Sequence, residues 1–225
     1  MPLQAANNEH SGPRFIVVEG PIGVGKTSLA KRLAESFSAD LVLEGTDDNP
    51  FLEQFYQSGR KIALPAQLFF LFQRARQLEL LRQADMFAPV RVADFHVFKD
   101  RLFAELNLNR AELDLYEQIY ERLDVEVPTP DLVIYLQASV DALMSRISRR
   151  ALDYERMIDR AYLEKVADTY ARYFYDYDES PLLIVNASSI DPVRNDADYD
   201  ALFEQVRRIS SGRHFFNPAA AVAFA

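Results

Sequence analysis

The sequence predicts a doubly wound α/β domain, five parallel strands with helices on both faces. Three observations predict it. Five short apolar segments alternate with stretches of helical periodicity. The segment Gly20-Pro21-Ile22-Gly23-Val24-Gly25-Lys26-Thr27 fits the phosphate-binding pattern G-x-x-x-x-G-K-[ST], and it joins the first strand to the first helix. The chain has 225 residues, enough for one well-buried domain and short for two.

The elements follow in order. Phe15-Ile16-Val17-Val18-Glu19 reads as a buried strand, and 28–34 as a helix with apolar residues at 29, 30, 33 and 34. Leu41-Val42-Leu43-Glu44 is the second strand. Asp48-Asn49-Pro50 opens a helix over 50–58, with a capping side chain ahead of a first-turn proline. Pro65 opens a long helix to Ala84, whose Leu68, Phe69, Leu71, Phe72, Ala75, Leu78 and Leu81 make a wide apolar face. Val90-Arg91-Val92-Ala93-Asp94 is the third strand, ending in an acid, and helices follow at 98–106 and 111–123. Pro128-Thr129-Pro130 breaks the chain before the fourth strand, Asp131 to Leu136. Its unbroken apolar run suits a parallel sheet covered on both faces. Ser139 caps a helix to Arg150, and 159–176 is another. Leu182 to Asn186 is the fifth strand and 197–209 the last helix. The expected organisation is a flexible segment over 1–13, one domain over 14–209, and a C-terminal tail over 210–225.

Composition narrows the classes. A net charge of −9 argues against a general binder of nucleic acid or anionic membrane, which needs basic surface. With no cysteine, disulfides, thiol catalysis and cysteine–metal sites are excluded, and a reducing compartment, the cytoplasm, is the natural fit. The three histidines have no ligand spacing. The polar first 13 residues lack the order of a signal peptide, and no apolar run approaches the ~20 residues of a membrane helix.

The chemistry-bearing positions start with the glycine loop. Its glycines let backbone N–H groups turn inward, and the following helix start, Thr27 and Ser28, adds a dipole that favours an anion. Lys26 would reach the outer phosphates and Thr27 would ligate magnesium. Glu44 sits at a strand's C-terminal end, where open α/β sheets bind ligands, and could take a proton from a hydroxyl. Asp94, ending the third strand, could help hold magnesium near Thr27. Arg146, Arg149 and Arg150 crowd one helix end, as a lid over a transferring phosphate would require. Gln67 and Arg74 lie seven residues apart, two turns, on one face of the long helix. The bland alternatives are a solvated acid at Glu44, a helix cap at Asp94, and dipole-complementing charge at the arginines.

Taken together, these motifs resemble the deoxynucleoside kinases, closest to the bacterial deoxyadenosine/deoxyguanosine kinase type, over residues 14–209. The likeness rests on Gly20 to Thr27, Glu44, the run Asn49 to Tyr56, Leu64-Pro65-Ala66-Gln67 with Arg74, Asp94 with Asp100, and Arg146 and Arg150 with Glu155. It implies a P-loop kinase fold with an arginine lid and transfer of the γ-phosphate of ATP, with Mg2+, to a deoxynucleoside 5′-hydroxyl. By that resemblance Glu44 is the general base, and Tyr56 and Glu155 bind the sugar 3′-hydroxyl. Gln67 reads the base edge, Arg74 and Asp100 form a charged pair beside the base, and Phe103 stacks on it. Arg146 and Arg150 are lid arginines. The family is usually a homodimer through helices packed side by side, which the apolar face of 65–84 would suit. Two departures stand out. The family's Asp/Glu-Arg-Ser motif reads Asp94-Phe95-His96, and a second lid arginine is replaced by Leu152. Arg149 or Arg101 would be the replacements, and a bacterial subgroup shares the Asp-x-x-x-x-Lys-Asp spacing of Asp94 to Asp100. Two other readings fit the loop: a thymidylate-kinase-like nucleoside monophosphate kinase, which needs a further basic site for the acceptor phosphate, and a non-catalytic nucleotide-binding regulator.

Overall fold

The structure, a computed structural model, describes residues 12–83, 90–123, 128–150, 152 and 154–217. Residues 1–11 and 218–225, Ala84 and the side chain of Leu81 lie outside what is described, and the expectations made for them stay there. Strands β1 (Phe15–Glu19), β2 (Asp40–Val42), β3 (Arg91–Ala93), β4 (Leu132–Gln137), β5 (Leu182–Asn186) and β6 (Arg213–Phe216) form one sheet in the order β2-β3-β1-β4-β5-β6. Every pair is parallel. The sheet therefore has six strands where five were expected. The sixth comes from the segment read as a tail. Its Arg213-His214-Phe215-Phe216 is too short and too polar at its start to announce a strand, but β5 offers it an open edge.

Alternation along β1 explains the layers. Ile16 and Val18 face one side with Leu29, Leu33, Leu143, Leu202 and Val206, which come from α1 (Lys26–Phe37), α6 (Val140–Arg150) and α8 (Asp196–Arg208). Val17 faces the other side with Leu102, Val166, Tyr170 and Phe174, from α4 (Phe98–Asn107) and α7 (Arg160–Asp176). A third cluster around the fully buried Tyr116 joins α2 (Leu52–Ser58), α3 (Ala63–Gln83) and α5 (Arg110–Leu123). The long helix starts two residues before Pro65. Its third position tolerates proline because the first N–H groups of a helix have no internal acceptor. Of the apolar face read on this helix, Leu71 and Leu78 are buried, Leu68, Phe69 and Ala75 are partly buried, and Phe72 is exposed.

The strand ends set up the site. The sequence put Glu44 and Asp94 at the last residues of strands, but β2 stops at Val42 and β3 at Ala93. Both acids lie just past the C-terminal edge. From β3 the chain jumps over β1 to β4, so the crevice at this edge opens beside β1.

His96 follows Asp94 and is buried, its Nδ1 accepting from Phe98 N–H at 3.2 Å. Burial pushes its pKa down from 6.5 to about 4. Between those values the unfolded chain binds the extra proton and the folded one does not, so stability falls as pH drops through that window. From about pH 7 to about pH 5 the loss assigned to His96 is ~2 kcal/mol. Urea unfolding at both pH values should show a shallower loss for His96→Gln than for the wild type. Equal losses would remove His96 as the cause.

Candidate active site

The phosphate loop depends on backbone conformations that side chains resist. Gly20, Gly23 and Gly25 have φ of 148°, 80° and 106°. A Cβ on Gly20 would also lie 2.4 Å from the Leu136 carbonyl oxygen, so β4 passes too close for any other residue. Lys26 Nζ donates to the carbonyls of Gly20 at 2.8 Å and Pro21 at 3.2 Å, folding the side chain back over the loop. Burial, with Lys99 nearby, lowers its pKa to about 8.

Asp94 ties this loop to the facing cavity. Its Oδ2 accepts from the Thr27 hydroxyl at 2.5 Å, and its Oδ1 accepts from the Glu44 N–H at 2.8 Å. The residues flanking Glu44 are held from α3: Gln77 donates to Leu43 O at 2.7 Å and Gln73 to Gly45 O at 3.1 Å. A carboxylate on a loop is thereby fixed as firmly as one on a strand. Glu19 does the same one strand over. It accepts from Gly20 N–H at 2.9 Å, Tyr170 OH at 3.0 Å and His96 N–H at 2.7 Å, and burial raises its pKa.

Glu44 carries the centre's electrostatics. One carboxylate oxygen is ion-paired with Arg74 and the other with Lys99. Burial would raise its pKa, but Lys99 and Arg74 outweigh burial and hold it down at about 2. Arg74 also pairs with Asp100, so the guanidinium bridges two carboxylates. All four groups are buried: Glu44, Arg74, Lys99 and Asp100. Their formal charges cancel.

Glu44, Arg74 and Lys99 line one wall of a cavity of about 70 Å³, with Asp100 behind Arg74. Gln67, Tyr56 and Phe103 line it too, as the sequence anticipated, together with Phe55, Phe70 and Tyr162, which it did not single out. Tyr56 stacks on Tyr154 at 6.2 Å, and Glu155 lies close enough to help raise the Tyr56 pKa, after burial and Tyr162. Glu155 also accepts from Arg150 at 3.1 Å. The anticipated sugar pair and one lid arginine are therefore neighbours.

A second cleft opens behind the loop. Gly23, Val24 and Gly25 line it with Arg146, Arg149 and Arg150 and with the turn Asp191 to Arg194. Arg146 donates to Val24 O at 3.1 Å and Ala187 O at 2.5 Å, which fixes α6 to the loop. Of the two replacements considered for the missing arginine, Arg149 lines this cleft. Arg101 points away and pairs with Glu105 and Glu117 at the surface. The cation at Glu44 is instead Lys99, to which the sequence reading gave no role. Its one signal was its place in the Asp94-to-Asp100 spacing, directly before an acid.

The fold and the phosphate loop define a P-loop phosphotransferase, with a cavity beside the loop. The deoxynucleoside kinase family model matches residues 16–211, and the chain belongs to that family. A deoxyguanosine kinase of Bacillus subtilis (strain 168) is 34% identical over 203 residues, covering 87% of this chain and 97% of that protein. A deoxyadenosine/deoxycytidine kinase of the same strain is 25% identical, covering 89% of this chain and 96% of that one. Deoxyadenosine kinase from M. mycoides, solved with dCMP and dCDP, superposes with a TM-score of 0.74 at 23% identity over 85% of this chain and 98% of that chain, a likeness of fold.

The bridge through Arg74 makes the two partners of the charged pair unequal. Arg74→Met leaves Asp100 buried with no cation, and a lone buried charge costs ~3–5 kcal/mol. Asp100→Ala leaves Arg74 still paired with Glu44 and should cost less. The double variant should recover most of the loss. Denaturant unfolding of the three proteins checks this, and equal costs for the two single variants would contradict the bridge.

Proposed function

We propose that this kinase transfers the γ-phosphate of ATP to the 5′-hydroxyl of a purine deoxynucleoside, deoxyadenosine or deoxyguanosine, with deoxycytidine as a further acceptor, in cytoplasmic nucleotide salvage. The observation that carries the reading is the Asp94 bridge, which sets Glu44, on the wall of an aromatic-lined cavity, against Thr27 of the phosphate loop. The relatives named for deoxyguanosine and deoxyadenosine/deoxycytidine support the choice of acceptor.

In this reading ATP's phosphates rest on residues 20–28, with Lys26 on the outer phosphates and Arg146 and Arg150 closing from the lid. Glu44 accepts the 5′-hydroxyl's hydrogen bond and takes its proton. Tyr56 and Glu155 hold the 3′-hydroxyl and leave little room for a 2′-hydroxyl. Gln67 reads the base edge with an amide that both donates and accepts. Phe103 packs on the ring, and Arg74 with Asp100 walls off the position a thymine methyl would take. The formal charges of Glu44, Asp100, Arg74 and Lys99 cancel, which supports an uncharged nucleoside over a nucleoside monophosphate.

The chemistry of Thr27 and Asp94 fits Mg2+: one hydroxyl and one carboxylate in contact, at the mouth of the loop. Magnesium keeps several waters and shares phosphate oxygens, so two protein groups suffice. Its contribution there would be to neutralise charge on the bridging phosphates. A homodimer is part of the same proposal. A groove between α4, α5 and α7, with Phe98, Leu102, Tyr120 and Tyr173 on its walls, is a surface a second copy could cover.

The direct test is ADP release with each deoxynucleoside and deoxynucleotide as acceptor. Deoxyadenosine or deoxyguanosine should be used best and thymidine poorly; a preference for thymidine would overturn the base assignment. Glu44→Gln should lower kcat by ~10²–10⁴ with a much smaller change in nucleoside affinity. Turnover within a few-fold of wild type would remove Glu44 as the base. Tyr56→Phe should narrow the gap in kcat/KM between 2′-deoxy and 2′,3′-dideoxy acceptors, because a buried donor left unpaired penalises the dideoxy analogue in the wild type. An unchanged ratio would assign Tyr56 to the core.

A further inference from the structure

Glu44 has a problem to solve before it can act. Both its carboxylate oxygens are already engaged, one by Arg74 and one by Lys99. An incoming hydroxyl must displace one of them. The two cations are not equally free to leave. Arg74 is anchored on its far side by Asp100, which is 1% exposed, so moving the guanidinium would strand a buried carboxylate. Lys99 has Glu44 as its one ion-pair partner among the described residues, and otherwise lies 5.8 Å from the Phe103 ring. Its four-carbon stem and rotatable ammonium also make it the easier group to swing.

The direction of that swing is set by what surrounds it. Lys99 stands in the first turn of α4, directly after the segment that carries Asp94 and His96 past the phosphate loop. Its charge is felt at Lys26, at the loop's own lysine, and at Glu19 beneath the loop. A buried ammonium released from Glu44 needs another anion, and the phosphoryl arriving between Lys26 and Glu44 is the one at hand. The position next to Asp94 is Phe95 and supplies no charge, so no other cation comes from this segment on the Glu44 side: Arg101 is turned to the surface.

We infer that Lys99 is a catalytic residue that trades Glu44 for the transferring phosphoryl group in each turnover. The inference rests on the kinase reading above. The acceptor hydroxyl takes the place of Lys99 at the Glu44 carboxylate. The bond between the 5′-oxygen and the γ-phosphorus forms as the bond from that phosphorus to the β,γ-bridging oxygen breaks. The hydroxyl proton passes to Glu44, and ADP leaves with the bridging oxygen's electron pair. Lys99 stays protonated throughout and balances the charge that develops on the phosphoryl oxygens. After transfer it returns to Glu44 and helps expel the proton.

The test uses the full chain with Lys99→Met, Lys99→Arg and Glu44→Gln, alone and combined. Deoxyadenosine and deoxyguanosine serve as acceptors, with Kd for nucleoside and ATP measured separately. Lys99→Met should lose ~10²-fold or more in kcat while both Kd values stay within a few-fold. Lys99→Arg should regain part of that loss. In the Glu44→Gln background, Lys99→Met should still lower kcat by ~10-fold or more, because the lysine acts on the phosphoryl and not only through Glu44. No further loss in that background would overturn the inference, as would a Lys99→Met enzyme turning over within a few-fold of wild type. Where Lys99→Met fails to fold, Lys99→Gln, which keeps a hydrogen bond to Glu44, replaces it under the same criteria. A wild type that releases ADP with no deoxynucleoside would instead remove the kinase reading itself, a separate outcome from an active wild type with an indifferent Lys99.

Discussion

The site hangs on one carboxylate that does not line the cavity. Asp94 accepts from Thr27 on the phosphate loop and from the backbone of Glu44 across the crevice. Two loops that leave different strands, β1 and β2, are thereby held at a fixed separation by the end of β3, which lies between them in the sheet. Parallel pairing makes this possible. All three strands present their C-terminal ends at one edge, so residues far apart in sequence meet there. A phosphoryl donor and its acceptor must be held within near-attack distance, and much of the rate in such transfers comes from that positioning.

The cost of the arrangement is buried charge. Glu44, Arg74 and Lys99 line one largely apolar cavity, Asp100 is buried behind Arg74, and Glu19 lies buried under the loop. An isolated ion there would lose its hydration without return. Each carboxylate is therefore matched: Glu44 by two cations, Asp100 by Arg74, and Glu19 by three hydrogen-bond donors. The network explains why α3, apolar on its face toward α2 and α5, carries Gln67, Arg74 and Gln77 on the turns that face the crevice.

Much of this was legible in the sequence because local and tertiary demands coincide. The alternation in Phe15 to Glu19, the glycines at positions 20, 23 and 25, and the apolar run from Leu132 to Leu136 each have one sensible structural use. Glu44, Gln67, Arg74, Phe103 and Tyr56 line one cavity as the motif spacing suggested, and Asp100 pairs with Arg74. What was missed has a common cause. β6 is specified by the free edge of β5 and not by its own four residues. Tyr162 and Phe70 look like core aromatics on helices, and only the helix packing turns them toward the cavity. Lys99 has no helix-face pattern to distinguish it from a solvated lysine, since its importance lies in a partner 55 residues away. Glu19 ends an apolar strand, where an acid is an anomaly, and its burial gives that anomaly a purpose.

The low pKa of Glu44 bears on how the proposed transfer proceeds. A carboxylate held at about 2 is too weak a base to remove a hydroxyl proton ahead of bond formation. In a loose, largely dissociative transfer it does not have to. The attacking oxygen forms little bond before the transition state, and its proton becomes acidic only as the phosphoryl arrives. Through most of the reaction Glu44 would act as a fixed acceptor that aims the hydroxyl, and as a base only at the end. Lowering its basicity then costs little at the transition state. Keeping it ionised prevents the carboxyl from donating its own hydrogen bond, which would turn the hydroxyl lone pair away from phosphorus. On this view Arg74 keeps Glu44 an acceptor at every stage, and departure of Lys99 restores some basicity at the moment a proton must be taken up. A single strong cation in place of these two would serve one of those needs and defeat the other.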